Sequence, residues 1–326
     1  MTDPLRFGVI GAARIAPKAL IEPASKIHSV TVTRVAARER SRAEAFAAAH
    51  GIAAVSDDYT GVIEADDVDV VYNPLSMNLH AEWTIAALRA GKHVLCEKSL
   101  ASNAVEAAEM VRVADEEERI LGEAFHHRYH PMFERIVELC HSRVIGTVER
   151  VEAVFNISIP QPNIRWDYET AGGSLMDLGC YPVTWVRHVV GEEPSVLSAE
   201  ADVGPERVDA AISAELAFPG GATARIESSM ISDTDDIRLV IDGSRGSIEA
   251  INPLAPQEGN MLTVQTDEGV TAGPVDAGVT YDHMLRAFVD HVEHGTPYLT
   301  KGQDSIANMT AIDSIYVAAG LSPRGT

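Results

Sequence analysis

The chain has 326 residues, of which 46% are hydrophobic and 23% charged, as in a globular protein of about two domains. Its 26 Lys and Arg residues against 48 Asp and Glu residues give a formal net charge of -22. Such a surface repels nucleic-acid phosphates and anionic lipid headgroups, which excludes nucleic acid and membrane as expected partners. The three cysteines are too scattered for a redox pair or a zinc site, and no signal or membrane-spanning segment is recognised. A cytoplasmic protein is therefore expected.

Short apolar segments alternate with helical stretches in the first part of the chain, which predicts a doubly wound parallel sheet. The expected strands are 7–10, 31–36, 68–73, 93–97 and 120–123. The expected helices are 42–50, 79–90 and 104–118, which are rich in Ala, Glu and Leu.

The pattern changes after a further expected helix at 131–141. Long segments of alternating apolar and polar residues predict strands at 148–159, 207–218, 222–231, 237–242 and 261–266. Expected helices at 181–190, 281–294 and 303–319 would cover one side of this sheet. The predicted fold class is therefore α/β followed by α+β, with a mostly antiparallel, open-faced second sheet.

A small-residue turn follows the first strand and approximates the dinucleotide-binding fingerprint. Its residues are Gly11, Ala12, Ala13, Arg14, Ile15 and Ala16, so Ala13 replaces the second glycine. The alternative is an ordinary strand-to-helix turn, but the position at the opening of several βα units favours nucleotide binding. We therefore expect a Rossmann domain over residues 1–124 and a second domain over residues 125–326.

The end of the second strand carries no Asp or Glu to bind a ribose 2′-hydroxyl, as an NAD site usually does. Arg38 and Arg42 stand there instead, and two guanidinium groups suit the 2′-phosphate of NADP. The prediction is NADP rather than NAD. The alternative is a solvated helical turn in which Glu39 cancels much of the charge.

Two further segments carry candidate catalytic groups. Lys98 ends a core strand at its carboxyl edge, where open α/β sheets bind ligands, and His80 lies in the preceding βα unit. Asp177 and Tyr181 are four residues apart and can share one helical face.

These four segments, in this order, resemble the family of glucose-fructose oxidoreductase, inositol dehydrogenase and rhizopine catabolism proteins, over nearly the whole chain. The branch most resembled is that of the dimeric dihydrodiol dehydrogenases and NADP-dependent xylose dehydrogenases, because Tyr181 stands where inositol dehydrogenases carry His. The resemblance implies that residues 125–326 form a substrate-binding and oligomerisation domain, and that the protein is a homodimer or homotetramer.

The resemblance also implies roles for individual residues. Tyr181 is expected to be the acid/base, Lys98 to orient the substrate and lower the pKa of the tyrosine, and Asp177 to hold Lys98 or the substrate. The expected cofactor contacts are Gly11, Ala12, Ala13, Arg14, Ile15, Arg38, Arg42, Leu75, Asn78, His80, Glu97 and Lys98.

The substrate contacts are less specific. The candidates are Asn156, Asn163, Arg165, Trp166 and Tyr168, which supply polar groups and aromatic faces suited to a polyol but equally suit the anchoring of a loop. His126, His127 and His130 form one short cluster without the partners of a closed metal site, so no metal is expected, and we interpret them as cleft-lining or structural.

One departure from the family pattern is Ser99, which stands where the family usually has Pro after the lysine. Because a cis peptide bond before a residue other than proline costs about 2.5 to 4 kcal/mol, the Lys98–Ser99 bond is expected to be trans.

The sequence thus predicts an NADP-dependent oxidoreductase acting on a hydroxyl or carbonyl carbon of a sugar, polyol or trans-dihydrodiol. The alternative is a non-catalytic NAD(P)-binding sensor or regulator of the same fold. Retention of both Lys98 and Tyr181 favours the enzyme.

Overall fold

The computed structural model describes residues 4–204 and 207–325 and divides into two compact units. Unit 1 is Met1–Phe125 with Tyr281–Ile306, and unit 2 is His126–Thr280 with Ala307–Thr326. Residues 281–306 were expected in the second domain, whereas the structure groups them with the first. The reason is aromatic packing: the Phe288 ring lies 6.3 Å from the Phe7 ring and 5.5 Å from the Tyr298 ring.

Unit 1 is built on a six-stranded sheet in which every neighbouring pair is parallel. Its strands are β1 (Leu5–Ile10), β2 (Val30–Ala36), β3 (Ala54–Val55), β4 (Val70–Asn73), β5 (His93–Cys96) and β6 (Leu121–Glu123). The spatial order β3-β2-β1-β4-β5-β6 reverses direction between β1 and β4, where such sheets bind ligands. The predicted doubly wound sheet is confirmed.

Helices connect these strands. They are α1 (Glu22–Ala24), which continues a π-helical turn at Pro17–Ile21, α2 (Arg40–His50), α3 (Thr60–Ile63), α4 (His80–Arg89) and α5 (Ala104–Glu116). A 3-10 turn at Met77–Leu79 leads into α4. Asn103 caps α5 by accepting a hydrogen bond from the amide of Glu106, and Gly51, at φ 69°, ends α2.

Unit 2 is built on an eight-stranded sheet. Its strands are β7 (Val148–Ser158), β8 (Ser195–Val203), β9 (Asp209–Ala217), β10 (Thr223–Ser229), β11 (Ile231–Gly243), β12 (Gly246–Ile251), β13 (Met261–Thr266) and β14 (Gly269–Gly273). The order is β14-β13-β12-β11-β7-β10-β9-β8, and all pairs are antiparallel except β7 with β10. The mostly antiparallel sheet is confirmed, although β8, β12 and β14 were not predicted because their apolar alternation is short or broken.

The remaining helices are α6 (Pro131–His141), α7 (Cys180–Val190), α8 (Thr280–His294) and α9 (Gln303–Ala318). Short turns lie at His126–Tyr129, Ile164–Trp166, Tyr168–Thr170 and Pro256–Glu258, and a π-helical turn at Leu175–Gly179 runs into α7. Helix α7 packs against β7 and β10. None of the helices in the described part of the chain is both long and apolar enough to cross a membrane.

A buried ion pair fixes the start of the segment that leads into α7. Asp209, which is fully buried, pairs with Arg324, also buried, and accepts hydrogen bonds from the backbone amide of Leu175 (2.7 Å) and from the Tyr316 hydroxyl (3.0 Å). Arg324 Nε donates to the carbonyl of Gly172 at 2.8 Å. Arg324 therefore holds both the Gly172 loop before the π-helical turn and the Asp209 carboxylate that caps this turn.

Replacing Arg324 by Met should lower the free energy of unfolding by about 3 to 5 kcal/mol, because Asp209 is then a buried charge without its cation. The double variant Asp209→Asn with Arg324→Met should recover part of that loss, since no buried charge remains. Urea unfolding of the two variants measures both values, and an Arg324→Met variant as stable as the parent would contradict the assignment.

Candidate active site

The glycine turn of unit 1 lies at the point where the strand order reverses. Gly11 follows β1 directly and has φ 116°, a conformation that side chains rarely adopt. A Cβ atom at this position would lie 2.9 Å from Leu75 Cδ2, in the loop that follows β4. The Gly11 amide donates to the carbonyl of Ala36 at 2.8 Å, which ties the turn to the end of β2. The turn therefore requires glycine for both conformation and space.

Two exposed arginines lie beside this turn. Arg42 Nη2 donates to the carbonyl of Ala12 at 3.5 Å, and the positive charges of Arg38 and Arg42 oppose the rise in the pKa of Tyr59 that burial causes. Arg40, between them in sequence, pairs instead with Glu44 and Asp57. Within residues 4–204 and 207–325, Arg38 and Arg42 form no ion pair with a carboxylate, so Glu39 does not neutralise them in this way.

Four buried side chains hold the chain around Lys98. Glu97 Oε1 accepts a hydrogen bond from the Tyr72 hydroxyl (2.7 Å), and Glu123 Oε1 accepts one from the Leu100 amide (2.9 Å). The carbonyl of Ser99 lies 3.0 Å from His80 Nδ1. These contacts fix the path of the chain just beyond β5, and Lys98 is partly exposed there.

The Lys98–Ser99 peptide bond is cis, so the expectation of a trans bond was wrong. That expectation weighed only the local preference of the peptide bond. The hydrogen bonds at the Ser99 carbonyl and the Leu100 amide come from residues far apart in sequence, His80 and Glu123, and a local argument does not include them.

The His80 ring lies between two loops of unit 1. It is fully buried, and its two ring nitrogens lie 3.0 Å from the carbonyls of Ser99 and Leu75. Burial lowers the pKa of His80. Since Leu75 and Ser99 follow β4 and β5, His80 contributes by fixing these loops, while Asn78 is exposed and accepts a hydrogen bond from the Ser76 hydroxyl.

In unit 2, paired glycines allow a loop to close tightly in front of Tyr181. A Cβ atom on Gly172 would lie 2.5 Å from the carbonyl oxygen of Arg165, and one on Gly173 would collide with Asp209 Oδ1. The carbonyl of Gly173 accepts a hydrogen bond from the Asp177 amide at 3.0 Å, so the loop leads directly into the π-helical turn. The close approach of backbone and carboxylate explains both glycines.

Asp177 pairs with Arg165 Nε across this loop. The sequence analysis expected Asp177 to hold Lys98 or the substrate; within unit 2 it pairs with Arg165, which is itself a proposed substrate contact. The Asp177 carboxylate raises the pKa of Arg165, and Tyr181 contributes to the same rise, so a fixed positive charge acts on the phenol. The opposite charges also hold Arg165 in position.

Tyr181 lies in an aromatic cluster on the first turn of α7. Its ring centroid is 5.5 Å from that of His127, 5.8 Å from Phe155 and 5.9 Å from His126. Its hydroxyl lies 3.4 Å from His126 Nε2, at the long end of hydrogen-bonding distance, and 5% of the residue is exposed. The cluster fixes the ring, so the hydroxyl has a defined position.

The other proposed substrate contacts anchor structure within unit 2. Trp166 Nε1 donates to the carbonyl of Ile159 at 2.9 Å, Asn163 accepts from the Arg165 amide at 3.1 Å, and the Tyr168 ring lies against two guanidinium groups. Asn156 donates to Glu227 at 2.7 Å and follows Phe155 on β7, so it points to the opposite face of the sheet from Tyr181. Arg165 alone of these five pairs with Asp177.

The histidine cluster after β6, expected to be cleft-lining or structural, contacts Tyr181. His126 contacts Tyr181 through Nε2 and lies 2.8 Å from the Thr280 hydroxyl through Nδ1. The signal was present in the three histidines at 126, 127 and 130, but nothing local indicated that one of them meets Tyr181. No group of three His, Cys, Asp or Glu side chains in the described part of the chain is placed to hold a metal ion.

Comparison with known proteins identifies both halves of the chain. Residues 5–125 match the model of an oxidoreductase family with an NAD-binding Rossmann fold, and residues 133–249 match the model of the GFO/IDH/MocA C-terminal domain.

Individual relatives cover almost the full length. The chain is 35% identical to the D-xylose 1-dehydrogenase (NADP(+)) 2 of Haloferax volcanii over 97% of both proteins. It is 32% identical to the trans-1,2-dihydrobenzene-1,2-diol dehydrogenase of Xenopus tropicalis over 67% of this chain and 66% of that protein. Among solved structures, the 3-ketoreductase KijD10 of Actinomadura kijaniata in complex with NADP and TDP-benzene has a TM-score of 0.89 and 28% identity, over 97% of this chain and 98% of that one.

The buried ring of His127 predicts a pH dependence of stability. Burial lowers the pKa of His127 well below the ordinary value of 6.5. Below pH about 6.5 the unfolded chain therefore binds a proton at His127 that the native state does not bind. The neutral His127 ring therefore contributes its full share to the free energy of unfolding above pH about 6.5. That contribution is lost as the pH falls towards the native-state pKa of His127, with a slope of up to about 1.4 kcal/mol per pH unit for one histidine.

Urea unfolding between pH 7 and pH 5 measures this slope. The His127→Phe variant, which keeps a ring between Phe133 and Tyr181, should lose stability less steeply than the parent as the pH falls. His28→Gln, at an exposed position, serves as the control and should keep the parental slope. Equal slopes for the parent and His127→Phe would contradict the prediction.

Proposed function

Because the chain belongs to the GFO/IDH/MocA oxidoreductase family, we propose that it transfers a hydride between NADP(H) and a hydroxyl or carbonyl carbon of a sugar, polyol or trans-dihydrodiol, with Tyr181 as acid/base. The observation that carries this proposal is the environment of Tyr181. A phenol with a fixed ring has a histidine at its hydroxyl and an arginine–aspartate pair one turn earlier. A side chain that exchanges a proton with the substrate must hold its proton-carrying atom in a fixed position, within hydrogen-bonding reach of the reacting group.

Unit 1 fits a dinucleotide. The Gly11 turn has no space for a side chain at Gly11 and follows β1 at the switch point, where a pyrophosphate is bound in such sheets. Ala12, Ala13, Arg14 and Ile15 complete the turn, and Leu75 and Glu97 line or brace the loops beyond β4 and β5. When bound, NADP would supply a carbon that accepts or returns the hydride.

Arg38 and Arg42 favour NADP over NAD. Both guanidinium groups are exposed beside the glycine turn, and within the described residues neither forms an ion pair with a carboxylate. Arg40, by contrast, pairs with Glu44 and Asp57. Charge-assisted hydrogen bonds to a 2′-phosphate would be locally favourable in spite of the net charge of -22. The xylose dehydrogenase relative uses NADP according to its name, which agrees with this preference.

Tyr181 exchanges the proton. Oxidising an alcohol requires a base at its hydroxyl, and a free tyrosine with a pKa near ~10 is a poor base at neutral pH. Positive charge beside the phenol favours its ionised form. Arg165 supplies such a charge, held in place by Asp177. Lys98 is proposed, on the family resemblance, to orient the substrate and to lower the pKa of the tyrosine further.

The substrate is proposed only as a class. The relatives are named for a pentose, a dihydrodiol and a nucleotide-linked ketosugar, and these share a ring with neighbouring oxygen substituents. Arg165 is the proposed contact for such an oxygen. The predicted self-association is a further proposal, which sedimentation velocity would test.

Replacing Tyr181 by Phe should lower kcat by about 10²-fold or more while leaving the Kd for NADP unchanged, since only the hydroxyl is removed and the ring contacts remain. Steady-state kinetics over a panel of sugars and dihydrodiols, with nucleotide binding by calorimetry, measures both values. A parallel loss of nucleotide affinity would show a structural role instead. If the parent binds NADP but reduces it with no member of the panel, the protein is a sensor and not an enzyme.

Replacing Arg38 by Ala should raise the Kd for NADP about 10- to 100-fold and leave the Kd for NAD nearly unchanged, because a hydrogen bond to a charged group contributes about 1.5 to 3 kcal/mol. Arg40→Ala is the matched control, two residues away on the same exposed turn but paired with Glu44 and Asp57. Calorimetric titration with both nucleotides gives the ratios. Equal weakening of NADP and NAD in Arg38→Ala would reject the 2′-phosphate assignment.

A further inference from the structure

His126 joins the Tyr181 hydroxyl to the start of α8. Its Nε2 lies 3.4 Å from the phenol oxygen, and its Nδ1 lies 2.8 Å from Thr280 Oγ1. All three residues belong to unit 2 and are buried: 4% of His126, 5% of Tyr181 and none of Thr280 is exposed. The three polar side chains therefore form a continuous hydrogen-bonded row that ends at the proposed acid/base.

The chemistry of the row favours one arrangement of protons. A neutral imidazole carries one N–H, and the hydrogen bond at one nitrogen determines which form is present. With the proton on Nδ1, the ring donates to Thr280 Oγ1 and offers the lone pair of Nε2 to the O–H of Tyr181. A phenol is a good donor to such a lone pair, and hydrogen bonds of this kind are often long before substrate binds.

We propose that His126 is a positioning residue that takes the proton of Tyr181 during alcohol oxidation and returns it during carbonyl reduction. This inference rests on the proposed function, because it needs Tyr181 to be the acid/base. It adds a residue that the family resemblance did not assign to the reaction.

The substrate O–H proton passes to Tyr181 Oη while the phenol proton passes to His126 Nε2, and the electron pair of the substrate C–H bond leaves with its hydrogen as the hydride that bound NADP would accept. The substrate becomes a carbonyl compound and His126 becomes an imidazolium, which keeps its Nδ1–H on Thr280 Oγ1. Once the carbonyl product has left, the extra proton on Nε2 returns to Tyr181 Oη as the phenol proton passes to water that enters the substrate site, and reduction follows the same steps in reverse.

Several charged or titratable groups surround this row. His127 lies edge-on to His126 at 6.3 Å between ring centroids, and burial lowers the pKa of His127, so it remains neutral. Arg128 lies close enough to lower the pKa of His127 further. Arg165, which is paired with Asp177, interacts electrostatically with Tyr181. Of these groups, His126 is the one placed at hydrogen-bonding distance from the phenol with a second hydrogen bond behind it.

The kinetic test uses His126→Gln, whose amide can accept a hydrogen bond from Tyr181 but takes up no proton. At pH 7 its kcat for oxidation should be about 10²-fold lower than that of the parent. The deficit should shrink as the pH rises above neutrality, because the phenol then ionises without passing its proton to the imidazole. A deficit that stays the same at every pH, or that appears as a higher KM with unchanged kcat, would overturn the proposal. His141→Gln, exposed at the end of α6, is the control and should retain the parental profile.

Thr280 provides an independent variant. Thr280→Val keeps the shape of the side chain but removes the acceptor of the Nδ1–H, so kcat for oxidation should fall about tenfold, and Thr280→Ser should restore it. If Thr280→Ser were as impaired as Thr280→Val, the hydroxyl would have no role and the row would be a packing feature.

A measurement without nucleotide or substrate separates this inference from the proposed function. In protein labelled with 15N-histidine, the His126 resonances at neutral pH should show a neutral ring protonated on Nδ1. They are assigned by their loss in His126→Gln or, if that variant does not fold, by the shift that Tyr181→Phe causes. A ring protonated on Nε2 would overturn the proposal even for an active enzyme. The expected tautomer together with an unaffected kcat in Tyr181→Phe would instead reject the proposed function.

Discussion

The geometry of the candidate site depends on the capping of the segment that leads into α7. Asp209 accepts the amide of Leu175 and is itself neutralised by Arg324, and this contact is possible because Gly173 has no side chain. A buried carboxylate is costly to desolvate, so it persists only with its cation and its hydrogen bonds. Because the π-helical turn and α7 begin from this point, the positions of Asp177 and Tyr181 follow from it.

In each unit, the path of the backbone brings the candidate site residues together. In unit 1 the loops that follow β1, β4 and β5 carry the candidate cofactor contacts, and buried side chains such as His80 hold these loops by their carbonyls. In unit 2 one loop and one helix start bring Arg165, Asp177 and Tyr181 together. Although the chain has a net charge of -22, Arg38 and Arg42 beside the glycine turn form no ion pair with a carboxylate of the described residues, whereas Arg40 does. Family membership agrees with this division of labour.

The sequence predicted the two sheets because apolar period and turn residues are local signals, and it predicted the family from the motifs around Lys98 and Tyr181. It did not predict that residues 281–306 belong to unit 1, because that grouping depends on rings distant in sequence, such as Phe7 and Phe288. The orientation of Asn156 was available from strand alternation, since Phe155 faces Tyr181. The partner of Asp177 and the contact of His126 were not available, because each joins separate segments.

The proposed reaction moves a hydride from a sugar-like substrate to a nicotinamide. Deuterium transfer tests it most directly: substrates labelled at the carbon to be oxidised are incubated with the protein and NADP, and the nucleotide is analysed by mass spectrometry and NMR. One deuterium should appear on the nicotinamide ring for at least one polyol, sugar or dihydrodiol of the set. Nucleotide that binds tightly but acquires no deuterium from any of them would contradict it.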